Sequence, residues 1–254
     1  MKIKVAISTA ILGLLVLSSS LSIATSSPDN IFLDKNARFH PVISQLGMVV
    51  SQEAIASQVG ADILEAGGNA IDAAVATGFA LAVTLPRAGN LGGGGFMLVY
   101  LADKNKTIAI DYREMAPMGA NKDMFLDPQG KVDNQKARFS AQSSGVPGTV
   151  GGLLYALDEY GSLSIEEVIK PAIKLASQGF MINHDLSDSL HLSSKRLHSH
   201  KASKRYFYKE NGDNYLPGDV FIQSDLSQTL SRIAEQGRSG FYAGKTADLI
   251  VSQM

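Results

Sequence analysis

The sequence predicts a mixed chain of the α+β class in which helices outnumber strands. Three observations carry this expectation. Apolar residues recur at helical spacing, as in Ile55, Val59 and Ile63, or in Leu226, Leu230, Ile233 and Ala234. Two β-type runs, 96–101 and 107–112, flank the turn-forming Asp103-Lys104-Asn105-Lys106 and read as one hairpin. Few other strands are visible, so any sheet within this chain is incomplete.

Each element has a local reason. Gly47-Met48-Val49-Val50 is a short apolar run and reads as a buried strand. Ser51 follows as a helix cap, and Gly67-Gly68 ends that helix. Asn69 caps a second helix, with Asp72 at the capping-box position. From Ala70 to Val83 this helix is apolar around nearly its whole circumference, which places it centrally. Pro86 closes it. Residues 113–146 read as irregular, and Pro147 opens a helix running to Tyr160. Ser164-Ile165-Glu166-Glu167 is a capping box for the next helix, which ends at Gly179. Residues 183–206 read as polar helix. Ser224 starts another helix, which ends at Gly237, and a last one runs from about Ala243 to Met254 with no stop signal, so the natural polypeptide is expected to continue.

The amino terminus reads as an address. Lys2 and Lys4 precede residues 5–17, which carry no charge, and Ser22-Ile23-Ala24 is a small-x-small end. This is the pattern of a secretory signal peptide. The apolar stretch falls short of the roughly 20 residues of a membrane span. We expect residues 1–24 to be removed, residues 25–254 to form the exported chain without a stable membrane anchor, and the location to be periplasmic or secreted.

Composition excludes several functions. The chain has 254 residues, 23 Lys and Arg against 24 Asp and Glu, and no Cys. Near-neutrality gives no general electrostatic claim on nucleic acid. Absence of Cys removes disulfide scaffolds, thiolate metal sites and thiol nucleophiles. Gly-x-Ser-x-Gly and Ser-x-x-Lys are absent too. The histidines are His40, His184, His191, His198 and His200, and three of them stand seven apart. A continuous helix would set those three on one side, but no carboxylate completes a ligand set, so no metal is expected. Lys195, Arg196, Lys201, Lys204, Arg205 and Lys209 form a basic stretch beside Tyr206, Phe207 and Tyr208, which reads as a solvated helix face.

Two motifs remain. Gly89-Asn90-Leu91-Gly92-Gly93-Gly94-Gly95 lacks the Lys and hydroxyl of a P-loop, and it follows a helix and opens a strand, the reverse of a dinucleotide turn. Its glycines permit close main-chain approach to another segment or a ligand, or a tight connection under a buried helix. Arg113, in Asp111-Tyr112-Arg113-Glu114-Met115-Ala116-Pro117, stands where a strand leaves the sheet. A guanidinium there suits bidentate capture of a carboxylate, or else pairs with Asp111 or Glu114 at the surface.

The segment from Gly47 to Gly161 resembles the start of the large subunit of the γ-glutamyltranspeptidases (γ-glutamyltransferases, glutathione hydrolases). The resemblance rests on 63–76 (Ile-Leu-Glu-Ala-Gly-Gly-Asn-Ala-Ile-Asp-Ala-Ala-Val-Ala), on 89–97, on 111–117 and on Gly145-Val146-Pro147-Gly148-Thr149-Val150, in the family's order. Phe241-Tyr242-Ala243-Gly244 also fits. The resemblance implies an N-terminal-nucleophile hydrolase, an αββα sandwich only partly contained here. It implies a precursor that cuts itself into two subunits, the small one beginning with a Thr that is nucleophile and, through its α-amino group, base. That Thr attacks γ-glutamyl donors such as glutathione, and the acyl-enzyme passes to water, an amino acid or a peptide. No cofactor is implied. The Arg of the family's Arg-Glu-Met-Ala-Pro motif grips the α-carboxylate of the γ-glutamyl group, a role that carries over to Arg113. The family's large subunit is longer than this chain, and no Thr here stands in a Thr-Thr-His context. No catalytic residue is therefore expected in this chain. The alternative is a non-catalytic relative that binds γ-glutamyl or amino-acid ligands at most. Leu85, where many relatives carry a polar residue, has no functional reading.

Overall fold

Asn69 shows how the core is started. Its side chain accepts hydrogen bonds from the backbone N–H of Ile71 and Asp72, at 2.7 and 3.1 Å, and the Asp72 carboxylate accepts from Asn69 N at 2.7 Å. This capping box begins helix α2, Ala70–Thr84, in the computed structural model, which describes residues 42–254. The expected signal peptide and His40 lie outside the described residues.

Helix α2 is central, as its all-round apolar sequence predicts. Val75, Ala76, Phe79, Ala80 and Val83 are fully buried. Around it pack α1 (Ala54–Glu65), α4 (Thr149–Tyr160) and α5 (Ile165–Gln178), and α9 (Ser224–Gln236) packs on α5. The capping box at Ser164 and Glu167 opens α5 as expected. Pro171 sits inside α5, and the helix runs through it.

Strands β1, Phe96–Leu101, and β2, Lys106–Asp111, form the expected antiparallel hairpin in the register Phe96↔Asp111 to Leu101↔Lys106. Asn105 closes its turn at φ 46°, a left-handed conformation that Asn tolerates. Alternation divides the hairpin faces. Met97, Val99 and Leu101 pack toward the core, whereas Phe96, Leu98 and Tyr100 are 66, 77 and 63% exposed. This face of β1 is uncovered apolar surface, whereas α1, α4 and α5 enclose α2.

Several expectations are corrected. Gly47 to Val50 form no strand, and Val50 is 80% exposed. This stretch lies instead along α1, where the Val49 side chain fills the space a side chain at Gly60 would need. Glu53, not Ser51, caps α1 by accepting from Ala56 N at 2.8 Å. The irregular segment contains α3, Asn134–Phe139, capped by Asp133. The 183–206 helix is three pieces, α6 (His184–Leu192), α7 (Ser194–His198) and α8 (Lys201–Phe207). The last helix, α11 (Gly244–Val251), starts where expected, and an additional short helix, α10 (Ser239–Tyr242), precedes it. Strands β3, Phe180–Met181, and β4, Val220–Phe221, pair antiparallel. At two residues each they carry no alternation signal.

Candidate functional site

The hairpin ladder runs one residue past β2. Tyr112 N donates to Gly95 O at 3.0 Å, and Gly95 N donates to Tyr112 O at 3.3 Å. A second anchor follows, where Met115 N donates to Val146 O at 3.3 Å and Val146 N to Met115 O at 2.8 Å. Arg113 and Glu114 are therefore held from both sides. Between them, Arg113 N donates to Asp111 Oδ1 at 3.0 Å.

Glycines make this clamp possible. A Cβ at Gly94 would stand 2.5 Å from Tyr112 O and 2.7 Å from Glu114 N. Likewise, a Cβ at Gly148 would overlap Tyr112 O, and one at Gly152 would overlap the root of the Tyr112 ring. The glycine-rich run and the start of α4 thus both close on the backbone of 112–114. They are tied to each other as well, because Gly93 O accepts from Gly148 N at 2.8 Å and from Thr149 N at 2.9 Å. Of the readings left open for the glycine run, close approach to the chain's own main chain is the one observed. We expect Gly152→Ala to displace Tyr112 and destabilise the fold by about 2 kcal/mol, as overpacking against a half-buried ring, seen as a lower melting temperature. A melting curve equal to that of the parent would show the Tyr112 seat to be loose.

Arg113 itself is exposed and makes no ion pair among the described residues. The surface pairing with Asp111 or Glu114 is not seen; Asp111 instead holds the Arg113 backbone. Arg113 lines a cleft of about 570 Å³ between the free edge of β2 and α4. Tyr112, Pro147, Gly148, Tyr155, Arg238 and Tyr242 also line it. Its charged lining residues are Asp111, Arg113 and Arg238, so the cleft favours an anion. Burial raises the Tyr112 hydroxyl above its ordinary pKa, so Tyr112 serves as a neutral wall.

Arg238 and Tyr242 are the residues that sequence reading left without a role. Tyr242 Oη donates to Pro147 O at 2.8 Å and accepts from Gly151 N at 3.0 Å, which seals the α4 end of the cleft. The Arg238 guanidinium lies 5.0 Å from the centre of the Tyr242 ring, a cation–π arrangement. Tyr242 belongs to a recognisable motif. Arg238 has no signal, because only the fold brings it beside Arg113.

A larger hollow, about 670 Å³, lies between 117–147 and α11. Among the described residues Lys136 is its only charged lining residue. We place the candidate site in the smaller cleft, because an apolar hollow offers an anion little. No group of His, Asp or Glu suited to a metal occurs among the described residues. The expected alignment of His184, His191 and His198 is broken, since the helix ends at Leu192 and the His198 ring stacks on Tyr208 at 4.1 Å.

This geometry can be set beside known proteins. Residues 56–254 match the family model described as gamma-glutamyltranspeptidase. The chain is 52% identical over 217 residues to the glutathione hydrolase proenzyme of Escherichia coli K12, covering 85% of this chain and 37% of that protein. It superposes on the crystal structure of Helicobacter pylori gamma-glutamyltranspeptidase with a TM-score of 0.82 at 44% identity, covering 84% of this chain and 61% of that one. The transpeptidase CapD of Bacillus anthracis superposes with a TM-score of 0.68 at 33% identity, covering 82% of this chain and 65% of that one. The chain thus spans little more than a third of the length of the curated relatives it matches. The likeness to these structures bears out the fold expected from the resemblance, a helical layer and hairpin belonging to a larger sandwich.

Proposed function

This chain belongs to the gamma-glutamyltranspeptidase family, and from that premise we propose that it supplies the substrate clamp of an exported enzyme acting on glutathione and related γ-glutamyl donors. Arg113 binds the α-carboxylate of the γ-glutamyl group through two parallel N–H donors. The acyl-enzyme forms on a Thr outside this chain, at the start of a small subunit cut from the same precursor, and water, an amino acid or a peptide accepts the acyl group.

One observation carries this reading. The Arg113 guanidinium is exposed and without an ion pair among the described residues, yet its backbone is locked between two glycine-bearing segments. A structural arginine is normally satisfied by its own fold, whereas a ligand-binding one is positioned and left open. The nearest hydroxyls and carboxylate in the cleft belong to Tyr112, Tyr155, Tyr242 and Asp111. None is paired with a base in the manner of an activated nucleophile. Export is proposed from the leader sequence. No helix among the described residues is long and apolar enough to cross a membrane.

The test is to determine the N-termini of the protein purified from its own host. Two termini, one following Ala24 and one at a Thr, are expected, together with turnover of a γ-glutamyl anilide. The isolated 254-residue chain should show no turnover. Activity of that chain alone would overturn the external nucleophile, and a single terminus in an inactive product would overturn the enzymatic reading altogether.

A further inference from the structure

Charge is unevenly spread in this nearly neutral chain. From Ser189 to Lys209 there are six Lys or Arg and no Asp or Glu. This stretch covers the end of α6 and all of α7 and α8. The structure shows what its aromatic residues do. Tyr206 and Phe207 turn inward, with the Tyr206 ring 6.1 Å and the Phe207 ring 6.3 Å from the buried Phe221 ring. Tyr206 Oη donates to Gln223 Oε1 at 3.1 Å, and Gln223 Nε2 donates to Val83 O at 2.7 Å, which fastens α8 to the end of α2. Tyr208 is buried and donates to Leu190 O at 3.2 Å. With the aromatic side anchored, the cationic side faces water. Lys195, Arg196, Lys201 and Lys204 are exposed and make no ion pair among the described residues. Arg205 meets Asp225 only at 3.5 Å with both side chains exposed, a weak pair. His200, Lys201 and Arg205 line one shallow hollow of about 440 Å³.

We propose that this face of α7 and α8 is a docking surface for the phosphate headgroups of an anionic lipid bilayer. An oligonucleotide is the poorer fit, because single-strand binding uses aromatic platforms for the bases, and here Tyr206 and Phe207 are half-buried against Phe221 and Tyr208 is buried. Two short helices that carry four exposed cations without ion pairs among the described residues suit an array of phosphates, and a cluster of four or more Lys and Arg is the pattern that reads as anionic-lipid binding. The choice of a bilayer rests on the exported location proposed above; the cationic face itself does not. No residue of α7 or α8 lines the Arg113 cleft, so docking and γ-glutamyl chemistry fail or succeed separately.

The experiment is co-sedimentation of the chain with vesicles of phosphatidylcholine, with and without phosphatidylglycerol. Binding is expected only where phosphatidylglycerol is present, and it should fade as salt shortens the screening length from about 10 Å toward 3 Å. Lys201→Gln with Lys204→Gln should weaken binding by about tenfold or more, at roughly fivefold per cation. Lys104→Gln with Lys106→Gln, in the hairpin turn, should leave it unchanged. Circular dichroism of each variant checks that the fold is retained. Equal binding to both vesicles, no binding to either, or no effect of the α8 substitutions would each overturn the proposal. So would displacement by inorganic phosphate beyond that of chloride at equal ionic strength, which would mark a discrete phosphate site. Tighter binding to an oligonucleotide than to the vesicles would overturn it as well.

Discussion

Arg113→Lys in the complete precursor is expected to raise KM for γ-glutamyl donors by about tenfold or more, while self-cleavage into subunits continues. The magnitude is that of losing one charged, two-point hydrogen bond and keeping a point charge. Lys retains the positive sign of the cleft, so the long-range pull on an anion survives and only the fork geometry is removed. Arg113 is exposed and carries no ion pair among the described residues, so the substitution should leave the melting temperature nearly unaltered. That separation is diagnostic. Initial-rate measurements with a γ-glutamyl anilide, taken beside thermal melts, would show a large kinetic change with little change in stability. An unchanged KM would make Arg113 an ordinary surface residue. A fall in stability with an unchanged KM would move its importance to the 112–114 clamp.

Asp72→Ala is expected to destabilise the fold by about 3 kcal/mol or more. The Asp72 carboxylate is fully buried. It accepts from Asn69 N at 2.7 Å, Ser162 N at 2.9 Å, Ser162 Oγ at 2.6 Å and Leu163 N at 3.2 Å. It therefore joins the start of α2 to the turn before α5, and Ala would remove the shared acceptor of four part-buried donors. For a chain of this size such a loss lowers the melting temperature by roughly 6 to 12 °C. Burial pushes the Asp72 carboxyl up in pKa, but the Ser162 hydroxyl and the three backbone N–H groups outweigh it and bring the group below its ordinary 3.8. A carboxyl with a lowered folded pKa contributes stability that is whole above its unfolded pKa. That contribution is lost as pH falls through the lower folded value. Melts taken below pH 3.8 should accordingly narrow the gap between the parent and Asp72→Asn. A gap that stays constant with pH would assign the Asp72 effect to packing alone.

Much of the framework was legible in order. The capping boxes at Asn69 and Ser164 were read correctly because a cap is a local contract among four residues, settled within one turn. The central place of α2 was legible because a helix apolar on every side has no face to give to water. The hairpin was read to within one residue, since alternation and turn chemistry agree there. The Gly47 to Val50 run was misread. An apolar tetrad signals burial or a strand equally well, and which it becomes depends on whether a partner lies alongside. Helix α3 and the two-residue strands escaped because each is too short to impose a period.

By itself, then, the sequence determined the longer helices, the hairpin, the family and the position of Arg113 at a strand end, all of which are written in residues close together along the chain. Only the tertiary structure decided that the glycine run closes on Tyr112 and Glu114, that Asp111 leaves the Arg113 guanidinium without an ion pair among the described residues, and that Arg238 and Tyr242 share its cleft. It alone turned Tyr206 and Phe207 inward and the lysines of α8 outward. The physical reason is range. Caps, turns and periodicity are satisfied by neighbours a few residues apart. Close approach, shared clefts and the facing of a charged surface are satisfied by segments that meet only when the core has formed.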